Sequence, residues 1–187
     1  MSPFEFVFSL FGLLLGFSLV EVLSGLVKTV KLRGTVRIGW LVPLLGLFVM
    51  VDLTSFWSMA WQLREKIPAN YAVLLLGLSI TGLYYFAASM VFPDKPEDWP
   101  DFDKWAAAHK RQVMGGVFVS NLMATAAVFS LLPPVAFTPF LFITNGGLLA
   151  AMLASALVKP HWATGVLLAA MLAFYFWFSL LPVLNLN

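Results

Sequence analysis

The chain has 187 residues, of which 61% are hydrophobic and 11% charged, with a formal net charge of +2 and a mean hydropathy of +0.92. Soluble domains average roughly 45–50% apolar and about 25% charged residues, so this composition excludes a soluble domain, a disordered chain and a coiled coil. The lack of cysteine excludes a disulfide scaffold and thiolate metal sites. The sequence therefore predicts a polytopic membrane protein.

Six segments are long enough to cross a bilayer, since a helix needs about 20 mainly apolar residues to span roughly 30 Å of hydrocarbon. Proline or charged residues mark most of their boundaries. The predicted spans are 4–27, 37–63, 69–92, 112–132, 137–158 and 161–181. Residues 10–15 do not alternate polar with apolar side chains, which argues against a β-barrel. We therefore predict an all-α fold with a single six-helix transmembrane domain over residues 1–187.

The N-terminus does not resemble a cleavable signal peptide. Glu5 stands where a signal peptide carries basic residues, and the apolar run that follows is too long. We therefore expect the first helix to remain in the protein.

The basic residues predict the orientation of the helices. The loops after the first, third and fifth spans carry nine of the eleven Lys and Arg residues, and only Arg64 and Lys66 lie on the other side. Those nine are Lys28, Lys31, Arg33, Arg37, Lys95, Lys104, Lys110, Arg111 and Lys159. Basic loops stay cytoplasmic during insertion. Both termini are therefore expected on the non-cytoplasmic side, in a bacterial inner membrane.

The polar segment 93–111 lies between the third and fourth spans. Three prolines occur in its first eight residues, and a short helix is predicted after them. Phe102, Trp105 and His109 are spaced by three and four, so they share one helix face. With Trp99, they predict a cytoplasmic interfacial helix on the headgroup boundary. A solvated loop cap is the alternative.

Two acids lie inside predicted spans: Glu21 in the first and Asp52 near the middle of the second. A charged Asp at the centre of a membrane helix costs about 2.5–3.5 kcal/mol on insertion scales. No basic side chain lies in the interior of a predicted span. Each acid must then be protonated, face a water-filled cavity or bind a cation. Alternatively, it hydrogen-bonds a neighbouring helix and has a structural role.

Two amides extend this polar pattern: Asn121 in the fourth span and Asn145 in the fifth. With the two acids they are expected at different depths, so a common face would give a polar path through the membrane. Hydroxyl side chains of the same helices would complete that path: Thr54, Ser55, Ser120, Thr125 and Thr144. Interhelical hydrogen bonding is the alternative role for both amides.

The small residues favour helix packing. Gly12 and Gly16 form a GxxxG pair, and stripes of small residues occur in the fourth and fifth spans. The third and sixth spans share a weak pattern of an apolar run followed by aromatic residues. This pattern is the basis for a hypothesis of two inverted three-helix repeats.

The sequence does not favour a cofactor or an enzyme. His109 and His161, the two histidines, are predicted at the cytoplasmic edge, and haem or zinc would need buried or clustered ligands. We expect no metal, no cofactor and no nucleic-acid partner. Hydrolase, P-loop, dinucleotide and zinc-protease motifs are absent. The aromatic residues near headgroup depth are typical of interfacial anchors; they are Tyr84, Tyr85, Trp99 and Trp105.

These observations predict a small transporter or channel for a proton, a cation or a small solute. Asp52 and Glu21 would be its coupling or selectivity carboxyls, and Asn121 and Asn145 would line the path. One alternative is a scaffold, sensor or assembly subunit that binds a partner through segment 93–111. A membrane enzyme acting on lipid or quinone is another. The expected partners are the lipid bilayer, the transported ion or solute, and a second copy or another membrane protein.

Overall fold

The computed structural model describes residues 3–132 and 138–180, and these residues form a bundle of six α-helices. In chain order the helices are α1 (Pro3–Lys31), α2 (Leu41–Gln62), α3 (Tyr71–Ser89), α4 (Phe102–Leu131), α5 (Pro139–Leu157) and α6 (His161–Leu180). A single 3-10 turn, Pro96–Asp98, precedes α4. All six helices are long and apolar enough to cross a membrane. The all-helical, multi-pass architecture is therefore as predicted.

Apart from the start of α4, the described helix boundaries differ from the predicted ones by a few residues. α1 continues to Lys31, four residues beyond the predicted end. α2 begins at Leu41 because Gly39, with a φ of +65°, turns the chain just before it. Residue 137, the predicted start of the fifth span, and residue 181, the predicted end of the sixth, lie outside the described residues.

The predicted separate interfacial helix is not found; its residues form the first turns of α4. The Asp101 side chain caps this helix by accepting a hydrogen bond from the Asp103 amide at 3.0 Å. No proline or glycine follows until Gly115, and residues 106–108 are alanines, the strongest helix former. The helix therefore continues without a break for 30 residues into the apolar segment.

One end of the bundle, here called the basic end, contains the connections at residues 32–40, 90–101 and 158–160. The first two connections pair with each other: the Arg37 amide donates to the Pro100 carbonyl at 3.0 Å, and the Phe102 amide donates to the Arg37 carbonyl at 2.9 Å. The Asp103 carboxylate accepts from the Leu41 amide at 3.2 Å. These bonds join the starts of α2 and α4. The opposite end, with residues 63–70, is called the far end.

Small residues lie where helices of the bundle pack closely against each other. α3 lies between α1 and α4, while α2 packs against α6. A Cβ added at Gly116 would lie 3.1 Å from the Cβ of Ala87, and the Ser120 hydroxyl donates to the Ile80 carbonyl at 3.3 Å. The small-residue stripe of α4 therefore packs against α3, as expected. Large apolar side chains such as Ile143, which is 72% exposed, cover the outside of the bundle.

The packing of the helices gives no support to two equivalent halves. α1 lies along α3, and an inverted repeat would place α4 along α6 in the same way. In the described residues α4 packs instead along α3 and α5. The shared pattern of the third and sixth spans is therefore not accompanied by matching packing.

Candidate functional site

Asp52 lies midway along α2 and is fully buried, with a relative exposure of 0%. Its carboxyl group is held by side chains from three other helices. The Tyr84 hydroxyl of α3 donates to Oδ2 at 2.8 Å, and the Tyr175 hydroxyl of α6 donates to Oδ1 at 2.5 Å. The amide of Asn121 in α4 donates to Oδ2 at 2.9 Å. Four helices therefore meet at one carboxyl group.

Asn121 has a fixed orientation in this cluster. Its Nδ2 also donates to the Val117 carbonyl at 3.0 Å and lies 3.1 Å from the Tyr84 hydroxyl. A backbone carbonyl can only accept, so this bond identifies the side-chain atom as the nitrogen. The amide therefore presents hydrogens, and not its oxygen, to the carboxyl of Asp52.

No basic side chain neutralises Asp52 among the described residues, because its side-chain partners are two hydroxyls and one amide. A hydrogen bond contributes about 0.5–1.5 kcal/mol, or about 1.5–3 kcal/mol when one partner is charged, so the three donors offset part of the cost of burying the carboxyl group. The site thus replaces the water around the carboxyl group with protein donors. It does so without a countercharge.

A cavity of about 230 Å³ lies beside this cluster, between α2, α4, α5 and α6. Tyr175 and Asn121, the side chains that hold Asp52, form part of its wall. The other polar groups in the wall are Ser55, Thr125, Thr144 and Asn145. None of the lining side chains carries a charge. A small polar molecule or a chain of waters in this cavity would therefore be one side chain away from the carboxyl.

The cavity lies on one side of Asp52 only. Along α2 its lining residues follow Asp52 toward the far end, and the same holds on α4, where Thr125 follows Asn121. Toward the basic end the interior next to Asp52 is apolar. The side chains there belong to the closely packed apolar core, and among them are Phe48, Val49, Val113, Met114, Met152 and Leu168. In the described residues, the polar cavity wall therefore lies on the far-end side of Asp52.

Glu21 is not part of this cluster. It is half-buried on α1 and lines a cleft of about 20 Å³ at the basic end, together with Lys28 and Asp94. This space suffices for about one water molecule. Glu21 makes no hydrogen bond or ion pair to the described residues. The two predicted carboxyls are thus separate, and a role for Glu21 in transport stays a prediction.

Asn145 lines the cavity opposite α2, half-buried on α5. Its Nδ2 donates to the Leu141 carbonyl at 2.9 Å within its own helix. The structure therefore places Asn121 and Asn145 in one cavity wall, and Asn121 also contacts Asp52. Thr54 is exposed and Ser120 faces α3, so neither of these two hydroxyls lines the cavity.

Lys110 is a buried basic residue that the predicted span boundaries missed. It lies inside α4 and is 5% exposed. Its Nζ donates to the Val158 carbonyl and, at 2.8 Å, to the Thr164 hydroxyl. The ammonium group therefore binds at the C-terminal end of α5, where the helix dipole favours a cation. It ties α4 to the α5–α6 connection and has no contact with Asp52.

The four residues predicted to form an interface have different environments. Phe102 is 1% exposed and belongs to the core. The Trp105 indole donates to the Val91 carbonyl at 3.1 Å, and the His109 ring stacks on it with a centroid distance of 3.5 Å. Trp99 packs edge-on against Trp105 at 5.1 Å. Of these four residues, Trp99, Trp105 and His109 are half-buried, and a partner can reach them.

A second cavity, of about 300 Å³, lies near the far end between α1, α2, α3 and α4. Its wall is almost wholly apolar, and the lining contains no titratable side chain. It thus offers room for an apolar chain and no acid–base group. Among the described residues, no three His, Asp or Glu side chains lie close enough to hold a metal ion.

The two tyrosines of the site were not predicted. Tyr84 was expected as an interfacial anchor, but it is 0% exposed and deep in the core. Tyr175 is one of the aromatic residues of the sixth span and is not among the predicted site residues. The distance of Tyr84 and Tyr175 from the predicted span ends is the sequence signal for their burial, since an interfacial anchor lies in the last turn of a span.

Comparisons with protein-family models, curated proteins and solved structures found no match to this chain.

Proposed function

We propose that this protein is a small membrane transporter for a proton, a cation or a small polar solute, with Asp52 as its ion-exchanging carboxyl. One observation carries the proposal: a buried carboxyl that has no basic partner among the described residues lies directly behind the wall of a cavity with six polar side chains in its lining. Intramembrane acids are rare because they are costly, and they often mark ion pathways and proton relays. A purely structural carboxyl would need no polar cavity beside it.

The one-sided cavity favours a transporter over an open channel. A channel needs a continuous polar route, whereas in the described residues closely packed apolar side chains lie between Asp52 and the basic end. In alternating access, a central site opens to one side at a time. We propose that the present structure corresponds to the state open toward the far end, because the cavity lies on that side of Asp52.

The orientation and the membrane belong to the same proposal. The basic end faces the cytoplasm, because basic loops are retained there, and the termini lie on the other side. The host membrane is a bacterial inner membrane. In this orientation the cavity of the present structure opens outward.

An experiment can test whether the cavity is the transport route, because the chain contains no cysteine. Thr125→Cys places the only thiol of the protein in the cavity wall. Ions and small neutral solutes are supplied one at a time to proteoliposomes, and uptake is measured before and after treatment with a bulky thiol reagent. We expect the reagent to stop uptake by Thr125→Cys.

The matched control is Lys66→Cys, at an exposed position of the far end that lines neither of the two cavities. Its uptake should survive modification. Undiminished uptake by fully modified Thr125→Cys would show that the cavity is not the transport route.

A non-transporting scaffold remains the second candidate, and the half-buried rings of Trp99, Trp105 and His109 are the observation that favours it. Phe102 and the Trp105 indole are already engaged within the protein, which leaves little of the predicted contact face for a partner. Co-purification of a partner that is lost in Trp99→Ala, with the bundle still folded, would support this candidate.

A further inference from the structure

We infer that the ion exchanged at Asp52 is a proton, passed from the cavity through the hydroxyl of Tyr175. This inference rests on the proposed function and narrows its substrate class. The chemistry of the groups around the carboxyl carries it. All three side-chain partners present a hydrogen to the carboxyl oxygens: Tyr84, Asn121 and Tyr175.

A metal cation does not fit this arrangement. Hard cations are held by several oxygen ligands, with six to eight typical of Ca²⁺. At Asp52 the Asn121 nitrogen occupies one side of Oδ2, and its bond to the Val117 carbonyl prevents the amide from turning its oxygen inward. A carboxyl group surrounded by hydrogen-bond donors therefore suits only the proton, because a proton needs just one oxygen lone pair.

Tyr175 is the group that can carry the proton. It is half-buried, lines the cavity, and its hydroxyl bonds Oδ1, the carboxyl oxygen that has no other side-chain donor among the described residues. Tyr84 and Asn121 both bond the other oxygen, Oδ2. Tyr84 is also fully buried and does not line the cavity. Oδ1 is therefore the atom that receives the proton.

The transfer is balanced. A hydronium ion in the cavity gives a proton to a lone pair of the Tyr175 oxygen and becomes water, while the original O–H bond of Tyr175 breaks and its proton forms an O–H bond to Asp52 Oδ1. A hydroxyl is both donor and acceptor, so Tyr175 remains neutral. Asp52 changes from carboxylate to carboxylic acid, and the reverse step returns the proton.

No charged group competes with Asp52 for this proton among the described residues. Of the helices packed against α2, α3 presents Tyr84, α6 presents Tyr175 and α4 presents the neutral Asn121. α1 also packs against α2, but none of its charged side chains is bonded to Asp52, and Glu21 lies in a separate cleft. The titration of the site is therefore that of one carboxyl between two tyrosines.

Infrared difference spectroscopy of the full chain reconstituted in lipid tests this inference. On acidification we expect a carboxylic acid C=O band in the wild type that is missing in Asp52→Asn and present in Glu97→Gln, the exposed control. Na⁺, K⁺ or Ca²⁺ added at constant pH should leave the band unchanged. Tyr175→Phe should keep the band but slow its appearance after a pH jump on the order of 10²-fold.

Two controls keep the outcome decisive. Tyr85→Phe alters an exposed tyrosine and should match the wild type. If Asp52→Asn does not fold, Tyr84→Phe removes one donor to Oδ2, and the resulting shift in the band frequency identifies the carboxyl as Asp52.

A band lost on adding Na⁺, K⁺ or Ca²⁺ at constant pH, or no pH-dependent band from Asp52, would overturn the proton assignment. So would Tyr175→Phe with a wild-type transfer rate. Transport is judged separately: uptake that depends on a Na⁺ gradient retains the proposed function and rejects the proton. A carboxyl that exchanges protons without any uptake retains the proton assignment and rejects the proposed transport function.

Discussion

Tyr84 and Tyr85 are neighbours in the sequence but lie in opposite environments. Tyr84 is 0% exposed and bonded to Asp52, whereas Tyr85 is 44% exposed. Tyr84→Phe removes a donor to a buried carboxyl and should lower the free energy of unfolding by about 1–3 kcal/mol. Tyr85→Phe should change it by less than about 0.5 kcal/mol. Thermal unfolding in detergent measures both, and equal effects would argue against the cluster.

At the residue scale, the sequence predicts the positions of Asp52 and Asn121 at membrane depth because polar side chains stand out in an apolar helix. It does not predict that they touch, since contact depends on the rotation of four helices about their axes. Tyr84 and Tyr175 escaped prediction because tyrosine suits both the headgroup region and a buried hydrogen bond.

At the element scale, α3 offers a matched pair of glycines. A Cβ at Gly77 would lie 1.8 Å from Cζ of Phe11 on α1, while a Cβ at Gly82 meets nothing within 4 Å. Gly77→Ala should therefore displace the Phe11 ring and cost about 1–3 kcal/mol in unfolding free energy.

Gly82→Ala is the control and should be neutral or stabilising by up to about 1 kcal/mol, because alanine favours the helix. Detergent-solubilised protein and a thermal melt suffice for the comparison. A wild-type melting temperature for Gly77→Ala would contradict the close approach of α1 and α3.

Length and hydropathy predict that the six helices exist, but they do not predict the residues at which each helix begins and ends. α4 shows why: the three prolines before it mark the start of a helix, but a polar first half predicts an interfacial segment. Asp101 caps this half and the alanines continue it, so a single helix is the result. Lys110 then lies inside the helix, where its aliphatic stem is buried and its ammonium binds α5.

At the scale of the whole molecule, the orientation can be measured with single cysteines. Lys66→Cys at the far end and Lys104→Cys at the basic end are both exposed positions. In intact bacterial cells, a membrane-impermeant thiol reagent should label Lys66→Cys at once and Lys104→Cys only after lysis. The reverse pattern would invert the proposed topology and make the present structure open inward.

The account as a whole depends on Asp52 being a working group and not only a bond between helices. The most direct measurement is the initial rate of uptake into proteoliposomes by the wild type, Asp52→Asn and the exposed control Asp98→Asn, with ions and small polar solutes tested in turn. Transport requires the exchangeable carboxyl, so we predict that Asp52→Asn lowers uptake on the order of 10²-fold or more while Asp98→Asn does not. A correctly folded Asp52→Asn protein that transports at the wild-type rate would contradict the account.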